Sequence, residues 1–236
     1  MKLYLTSSHV GEYRGEMPAY RGLNPANGLV KELRKDWGEG RCLLISSSPN
    51  EFDRNETYRA ELENDLKETG LRVSCVHLCD GRNPQIVSQI REYDFVLLSG
   101  GHVLTENAFF HAIGLKQALK NYEGIVMGVS AGSMNCATLV YVQPECAGEC
   151  AASFPRWIEG LGLTDVNVLP HYQACKNDVV DGKRVYEDVA YPDSFVRPLL
   201  AIPDGSFLLR REGKEILHGV AYRIQNGKIE QIERLE

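Results

Sequence analysis

The chain has 236 residues and carries 26 Lys and Arg against 32 Asp and Glu, a formal net charge of −6. This length allows one sizeable α/β domain, and residues 1–236 are treated as a single domain. The basic residues are scattered among more numerous acids, which argues against nucleic acid or an anionic membrane as a partner. No apolar stretch reaches the ~20 residues of a membrane span. Seven cysteines without an export signal favour a reducing cytoplasm.

Strand-like and helix-like segments alternate through the first two thirds of the chain. Short apolar runs bounded by turn residues predict strands at 1–6, 41–46, 71–78, 94–98 and 124–128. Helices are predicted at 55–69, 83–91 and 108–121, and a further one directly after residue 130. This alternation indicates right-handed βαβ units and therefore a doubly wound, mostly parallel α/β sheet with helices on both faces.

The last third has a different pattern. Strands are predicted at 166–170, 199–203, 206–210, 215–224 and 228–234. Pro-Asp-Gly, Glu-Gly-Lys and Asn-Gly turns separate the last four of these, which indicates antiparallel hairpins at the end of the domain.

The segment Gly128-Val129-Ser130-Ala131-Gly132 matches the G-x-S-x-G pattern of a nucleophile elbow. A buried strand precedes it and small or apolar residues follow it, which is the strand-turn-helix context that the pattern requires. In such a tight turn a Cβ at either glycine would clash with the neighbouring chain. Alone, the pattern is equally compatible with a plain strand-helix turn.

A second glycine motif ends the preceding strand, at Ser99-Gly100-Gly101-His102. Glycine lets a backbone amide approach a substrate closely, so the amides of Gly101 and Ala131 are candidates for an oxyanion hole. The alternative is that Gly100 and Gly101 only form a tight turn.

A serine nucleophile needs a base and an orienting carboxylate. Among six histidines, His171 has the best position because it follows a strand-like segment at the edge where ligands bind in parallel sheets. His9 and His102 are loop residues that the pattern does not exclude, and His102 is a candidate to line the pocket. Spacing alone does not choose among the acidic candidates, which are Glu145, Glu149, Asp165 and Asp178.

These motifs occur together and in order: Leu-Ser-Gly-Gly-His, Gly-Val-Ser-Ala-Gly-Ser, Leu-Pro-His-Tyr and Ile-Pro-Asp-Gly-Ser. The set resembles the dipeptidase E and cyanophycinase group of serine peptidases, over most of the chain. The resemblance implies the flavodoxin-like fold of class I glutamine amidotransferases. It also implies Ser130 as nucleophile, His171 as base, Glu145 as the acidic member, and Gly101 and Ala131 as oxyanion donors. Serine at the elbow, where the amidotransferases carry cysteine, argues against glutaminase chemistry.

The expected function is hydrolysis of short peptides through an acyl-enzyme, with N-terminal aspartyl dipeptides as a candidate substrate class. An aspartyl side chain would need a cation, for which Arg156 and Lys176 are candidates beside the pocket residue His102. An esterase or acyltransferase with the same triad, or a non-catalytic binding domain of this fold, are the alternatives. No cofactor is expected, and no metal site is predicted because Cys146 and Cys150 lack the C-x₂-C pairs of zinc motifs. A small peptide is the expected partner, and a homodimer is a candidate assembly.

Overall fold

The computed structural model describes residues 1–16 and 20–235. The strands of its main sheet are β1 Lys2–Thr6, β2 Glu39–Ile45, β3 Arg72–Cys79, β4 Phe95–Leu98, β5 Ile125–Val129, β12 Phe207–Arg211 and β13 Lys214–His218. These seven strands have the order β13-β12-β1-β5-β4-β2-β3. The strands β1 to β5 are parallel. The strand β12 pairs antiparallel with β1, and β13 pairs antiparallel with β12 at the edge of the sheet.

A smaller sheet of four strands has the order β15-β14-β11-β8, with β8 and β11 parallel and the remaining pairs antiparallel. Two short two-stranded ladders complete the β structure of the described residues. The strands of these three sheets are β6 Leu139–Tyr141, β7 Trp157–Glu159, β8 Asn167–Leu169, β9 Val179–Val180, β10 Lys183–Arg184, β11 Leu199–Ala201, β14 Ala221–Gln225 and β15 Lys228–Ile232.

Seven α-helices lie among the described residues: α1 Leu29–Asp36, α2 Phe52–Glu68, α3 Val103–Ala112, α4 Leu115–Leu119, α5 Ala131–Asn135, α6 Tyr172–Cys175 and α7 Tyr191–Asp193. Two 3₁₀ helices span Ala26–Gly28 and Pro84–Glu92, and a π-helix spans Val185–Ala190.

Helices cover both faces of the main sheet because successive side chains of each strand point to opposite faces. On one face Leu97 of β4 packs in a cluster with Leu62 and Leu66 of α2. On the other face Leu98 shares a cluster with Phe110 of α3. This two-sided core confirms the prediction of a doubly wound, mostly parallel sheet with antiparallel strands near the carboxyl end of the chain.

Two predicted elements are divided in the structure. The helix predicted over 108–121 is two helices, α3 and α4, because Gly114 takes a left-handed conformation with φ 66° between them. The strand predicted over 215–224 is β13 and β14, which belong to different sheets. Gly219, with φ 93°, lies at the break. The helix α1 has no counterpart among the predicted elements.

No helix in the described ranges is both long enough and apolar enough to cross a membrane. The seven cysteines are all free thiols.

Candidate active site

Ser130 occupies the turn between β5 and α5 in a backbone conformation that side chains rarely adopt, with φ 51° and ψ −117°. Non-glycine residues at positive φ store strain of about 1–3 kcal/mol and cluster at functional sites. The backbone N–H of Ser130 donates to the carbonyl of Thr6 at 3.0 Å, which ties the turn to the end of β1. The turn therefore holds the Ser130 hydroxyl at the carboxyl edge of the main sheet.

The two glycines of the elbow are required by sterics. A Cβ on Gly132 would lie 2.3 Å from the carbonyl oxygen of Leu98, and a Cβ on Gly128 would lie 2.7 Å from the backbone of Ser133. Both separations fall far below a normal contact with backbone atoms, which cannot swing aside. The structure thus confirms the predicted steric reason for glycine at these positions.

His171 follows β8 and also has a left-handed backbone, with φ 57°. Its Nε2 lies 2.9 Å from the Ser130 hydroxyl oxygen. The Ser7 hydroxyl accepts a hydrogen bond from the His171 backbone N–H at 2.6 Å, and the ring of Tyr13 lies over the imidazole with centroids 4.4 Å apart. The imidazole is therefore fixed in reach of the Ser130 proton, as the sequence predicted.

The carboxylate on the other ring nitrogen belongs to Asp204. Its Oδ1 lies 2.8 Å from His171 Nδ1, and its side chain is fully buried. β8 and β11 pair in parallel with Leu169 opposite Ala201, so the segments that carry His171 and Asp204 leave the same edge of the small sheet. This arrangement corrects the prediction that Glu145 orients the imidazole.

Four donors surround the Asp204 carboxylate. Besides His171, it accepts from the Ser7 hydroxyl, from the Tyr13 backbone N–H at 2.6 Å and from the Gln173 amide at 2.6 Å. Burial by itself would raise the pKa of Asp204, but these hydrogen bonds and the nearby imidazole lower it overall. Asp204 is thus an ionised acceptor, which requires the proton of a neutral His171 on Nδ1 and leaves Nε2 free to accept from Ser130.

Glu145 lies at the same cavity as Ser130 without bonding to His171. Although the residue is exposed at the cavity, the surrounding protein displaces water from its carboxylate and raises its pKa. The charge of Glu149 adds to the rise, whereas His102 and His171 oppose it. Glu145 therefore faces the space where a substrate would lie.

The glycine turn after β4 lies directly beside the elbow. A Cβ on Gly100 would lie 3.0 Å from the Ser130 Cβ, and one on Gly101 would lie 2.4 Å from the Ser47 hydroxyl. Side chains at these positions would therefore collide with Ser130 and Ser47. The absence of a side chain at Gly100 lets its backbone lie close to Ser130. The assignment of Gly101 and Ala131 as oxyanion donors remains a prediction.

A cavity of about 860 Å³ opens above Ser130. Its lining includes His171, Glu145, both turn glycines, and the cations Arg14 and Arg54.

The predicted pocket residues His102, Arg156 and Lys176 are not among the described residues that line this cavity. His102 contacts Glu149, and Arg156 donates to the carbonyl of Glu149 at 2.6 Å and lies 3.4 Å from Asp193. Arg156 and Lys176 therefore lie outside the cavity lining in which the cation for an aspartyl side chain was expected.

A buried acidic residue, Glu106, contacts the helix that follows the elbow. Glu106 is fully buried, its Oε2 accepts from the amide of Asn135 at 2.9 Å, and its Oε1 has no partner among the described residues. Burial raises the pKa of Glu106 well above its ordinary value. The folded protein therefore holds a proton on Glu106 at pH values where the unfolded chain has lost it.

Replacing Glu106 with glutamine is expected to flatten the pH dependence of stability. The pKa of Glu106 is higher in the folded protein than in the unfolded chain. Its contribution to the free energy of unfolding is therefore fully present below the unfolded pKa, and it declines as the pH rises above that value, by at most about 1.4 kcal/mol per pH unit. Urea unfolding at pH 5.5 and 7.5 should show this decline in wild type and not in Glu106→Gln. Glu68→Gln, on an exposed position of α2, is the matched control. Equal slopes in wild type and Glu106→Gln would show that Glu106 is ionised in the fold.

Comparison with known proteins places this geometry in a family. A model of peptidase family S51 matches residues 25–218. A peptidase from an acI-B1 Actinobacterium has a similar structure, with a TM-score of 0.69 and 21% identity over 100% of this chain and 95% of that one. A proposed peptidase E protein from Listeria monocytogenes EGD-e has a TM-score of 0.62 and 18% identity, over 92% of this chain and 96% of that one. No curated protein matches the chain significantly. The chain belongs to peptidase family S51, the dipeptidase E and cyanophycinase family of serine peptidases.

Proposed function

We propose that this peptidase hydrolyses short peptides through Ser130, His171 and Asp204 by way of an acyl-enzyme. The observation that supports this most strongly is the pair of contacts on the imidazole: Nε2 lies 2.9 Å from the serine hydroxyl and Nδ1 lies 2.8 Å from a buried carboxylate. A nucleophile, a base and an orienting group within hydrogen-bonding distance in this order make up the catalytic unit of serine hydrolases.

In the proposed reaction His171 Nε2 takes the Ser130 proton as the hydroxyl oxygen attacks the peptide carbonyl carbon. The negative charge that develops on the carbonyl oxygen is stabilised by the amides of Gly101 and Ala131, and each such donor is typically worth about 10²–10³ in rate. His171 then gives its proton to the leaving amine. A water molecule then gives a proton to His171 Nε2 as its oxygen attacks the acyl carbon. The bond from that carbon to Ser130 Oγ breaks, His171 returns the proton to Ser130 Oγ, and the free acid leaves. Asp204 keeps the proton of neutral His171 on Nδ1 and stabilises the imidazolium.

The shape and charge of the cavity favour small free peptides. A cavity of about 860 Å³ lies within the range of roughly 300–1,000 Å³ typical of small-ligand sites. Its rim carries both signs of charge, with Arg14 and Arg54 on one hand and Glu61 and Glu145 on the other. Arg14 forms an ion pair with Asp178 at 2.8 Å, and Arg54 forms one with Glu51 at 2.9 Å. These charges suit a short zwitterionic peptide better than a substrate selected by an acidic side chain.

Labelling with a fluorophosphonate tests whether the serine is activated, because these reagents react quickly only with a hydroxyl that is paired with a base. We expect stoichiometric labelling of Ser130 in wild type, none in Ser130→Ala, and much slower labelling in His171→Ala. Mass spectrometry of the labelled peptide locates the modification. Absence of labelling in folded wild type would favour the alternative of a binding domain without turnover.

A second measurement separates a peptidase from an esterase or an acyltransferase. Wild-type protein is incubated with matched dipeptides, ester analogues and acceptor amines, and the products are followed by mass spectrometry. The proposal predicts peptide hydrolysis with release of a free acid. Turnover of esters alone, or transfer to the acceptor amine in preference to water, would contradict it.

A further inference from the structure

Three potential metal ligands from two separate segments meet beside the candidate active site. One imidazole nitrogen of His102, Sγ of Cys146 and one carboxylate oxygen of Glu149 all lie within 4.8 Å of one another. His102 comes from the loop after β4, whereas Cys146 and Glu149 belong to the turn over 145–149. We propose that this His102–Cys146–Glu149 cluster binds Zn²⁺ and that its occupancy slows turnover at Ser130.

The distances suit a tetrahedral ion after a small adjustment. Zinc binds sulfur at about 2.3 Å and nitrogen or oxygen at about 2.0–2.2 Å, so ligand atoms around one ion lie roughly 3.3–3.8 Å apart. Since the ligand atoms lie no more than 4.8 Å apart, a shift of at most about 1.5 Å brings them to these separations. Cys146 is exposed, so rotation of its side chain can supply that movement. The His102–Glu149 contact of 3.0 Å needs to open by only a few tenths of an ångström.

Surrounding groups already hold two of the ligands in orientation. His102 Nδ1 lies 3.0 Å from the Thr105 hydroxyl oxygen. A hydrogen bond from Nδ1–H to this oxygen favours the neutral tautomer in which Nε2 carries no proton and is free to bind a cation. Glu149 Oε2 accepts from the backbone N–H groups of Glu145 at 2.7 Å and Cys146 at 3.0 Å, which points Oε1 at His102. Supporting contacts of this kind are characteristic of zinc sites.

The turn that carries the cluster is anchored from outside. The Asp181 carboxylate accepts from the backbone N–H groups of Gly148 at 2.9 Å and Cys150 at 3.0 Å. Arg156 donates to the Glu149 carbonyl at 2.6 Å. A turn held in this way loses little freedom when an ion binds, so more of the interaction free energy appears as affinity.

The charge and chemistry of the donors favour zinc. One carboxylate and one thiolate neutralise a divalent ion, with the Cys146 proton released to solvent on binding. A set of imidazole, thiolate and carboxylate suits the borderline-soft Zn²⁺ better than Mg²⁺ or Ca²⁺, which prefer oxygen ligands alone. The sequence did not predict this site because its ligands come from two segments and lack a zinc spacing motif.

The location couples the cluster to catalysis. His102 directly follows Gly101, a proposed oxyanion donor, and Cys146 directly follows Glu145. Gly101, Glu145 and Cys146 line the same cavity as Ser130. A bound ion would tie the glycine turn to the 145–149 turn across one wall of that cavity. This part of the inference rests on the proposed function, whereas metal binding does not.

Binding is tested on the full chain in a non-chelating buffer with a phosphine reductant. Zn²⁺ titration by calorimetry should show one equivalent bound, and Co²⁺ should give the near-ultraviolet charge-transfer band of a thiolate ligand. Loss of supporting contacts alone typically costs 10–100-fold in affinity, so Cys146→Ser should weaken zinc binding by at least about 100-fold and abolish the band. Cys175→Ser, which removes another thiol of the same cavity, should retain both. A band that persists in Cys146→Ser, or equal affinities in that variant and wild type, would overturn the site.

Inhibition is tested separately with peptide hydrolysis, each variant being compared with its own metal-free rate. Zn²⁺ should inhibit wild type with a midpoint that matches the calorimetric affinity, and Cys146→Ser should require at least about 100-fold more metal. Tight binding without inhibition would refute the regulatory role and leave the site established. Equal inhibition of both proteins would show that zinc acts elsewhere, such as at His171. Absence of hydrolysis in the metal-free enzyme would count against the proposed function, and the cobalt spectra would still decide the site.

Discussion

Replacing Ser130 with alanine is expected to lower kcat for a cleavable short peptide by about 10⁶-fold, because the hydroxyl is the attacking atom and no neighbouring group replaces it. The substitution removes one oxygen and its 2.9 Å contact with His171, so the fold should remain intact. Steady-state or single-turnover kinetics with a quenched dipeptide substrate measures the loss. Circular dichroism and thermal unfolding verify that the variant is folded.

Ser48→Ala is the matched control for this prediction. Ser48 also lines the cavity, but its hydroxyl lies outside the contacts that join Ser130, His171 and Asp204. We expect its kcat to stay within a few-fold of wild type. Retention of wild-type activity in a folded Ser130→Ala protein would end the proposal of serine catalysis, whatever the behaviour of Ser48→Ala.

Replacing Asp204 with asparagine is expected to reduce kcat by about 10⁴-fold. An amide in place of this carboxylate can donate to Nδ1 and so favour the imidazole tautomer with its proton on Nε2, the wrong nitrogen for accepting from serine. It also withdraws the negative charge that stabilises the imidazolium. The pH profile of kcat/KM should change together with the rate, since the partner of the base has lost its charge.

Glu145→Gln distinguishes this assignment from the one that the sequence resemblance implied. Glu145 lines the cavity without contacting His171 Nδ1, so its substitution should alter KM more than kcat and cost far less than Asp204→Asn. A loss in Glu145→Gln that equals or exceeds that in Asp204→Asn would reinstate Glu145 as the essential carboxylate. Both variants are isosteric, which keeps the comparison free of cavity effects.

The elbow was predictable because local sequence determines it. A buried strand, a serine and two glycines within five residues leave few other conformations, and the 2.3 Å approach at Gly132 shows how little space the turn contains. His171 was predictable for a related reason, since a strand end in a parallel sheet limits where its side chain can lie. The alternation of strands and helices fixed the class of fold in the same way.

Asp204 was missed because its role depends on tertiary structure. It lies in the Ile-Pro-Asp-Gly-Ser segment, which the turn residues present as a simple connection between hairpin strands. The parallel pairing of β8 with β11 brings this turn beside His171, and the local sequence does not predict that pairing. The signal that could have found it is an aspartate at a strand end, the same criterion that selected His171. Glu145 was favoured instead because the family resemblance implied it as the acidic member.

The position of β1 between β5 and β12 has a consequence for how activity arises during synthesis. At the end of β1, the Thr6 carbonyl accepts from the Ser130 backbone N–H, and the Ser7 hydroxyl accepts from the His171 backbone N–H. The Ser7 hydroxyl also donates to the carboxylate of Asp204, which is 197 residues away in the chain. A nascent polypeptide that has not yet left the ribosome beyond residue 204 therefore lacks the carboxylate of the proposed triad. On the proposed assignment, peptide hydrolysis therefore requires that nearly the whole chain has been synthesised.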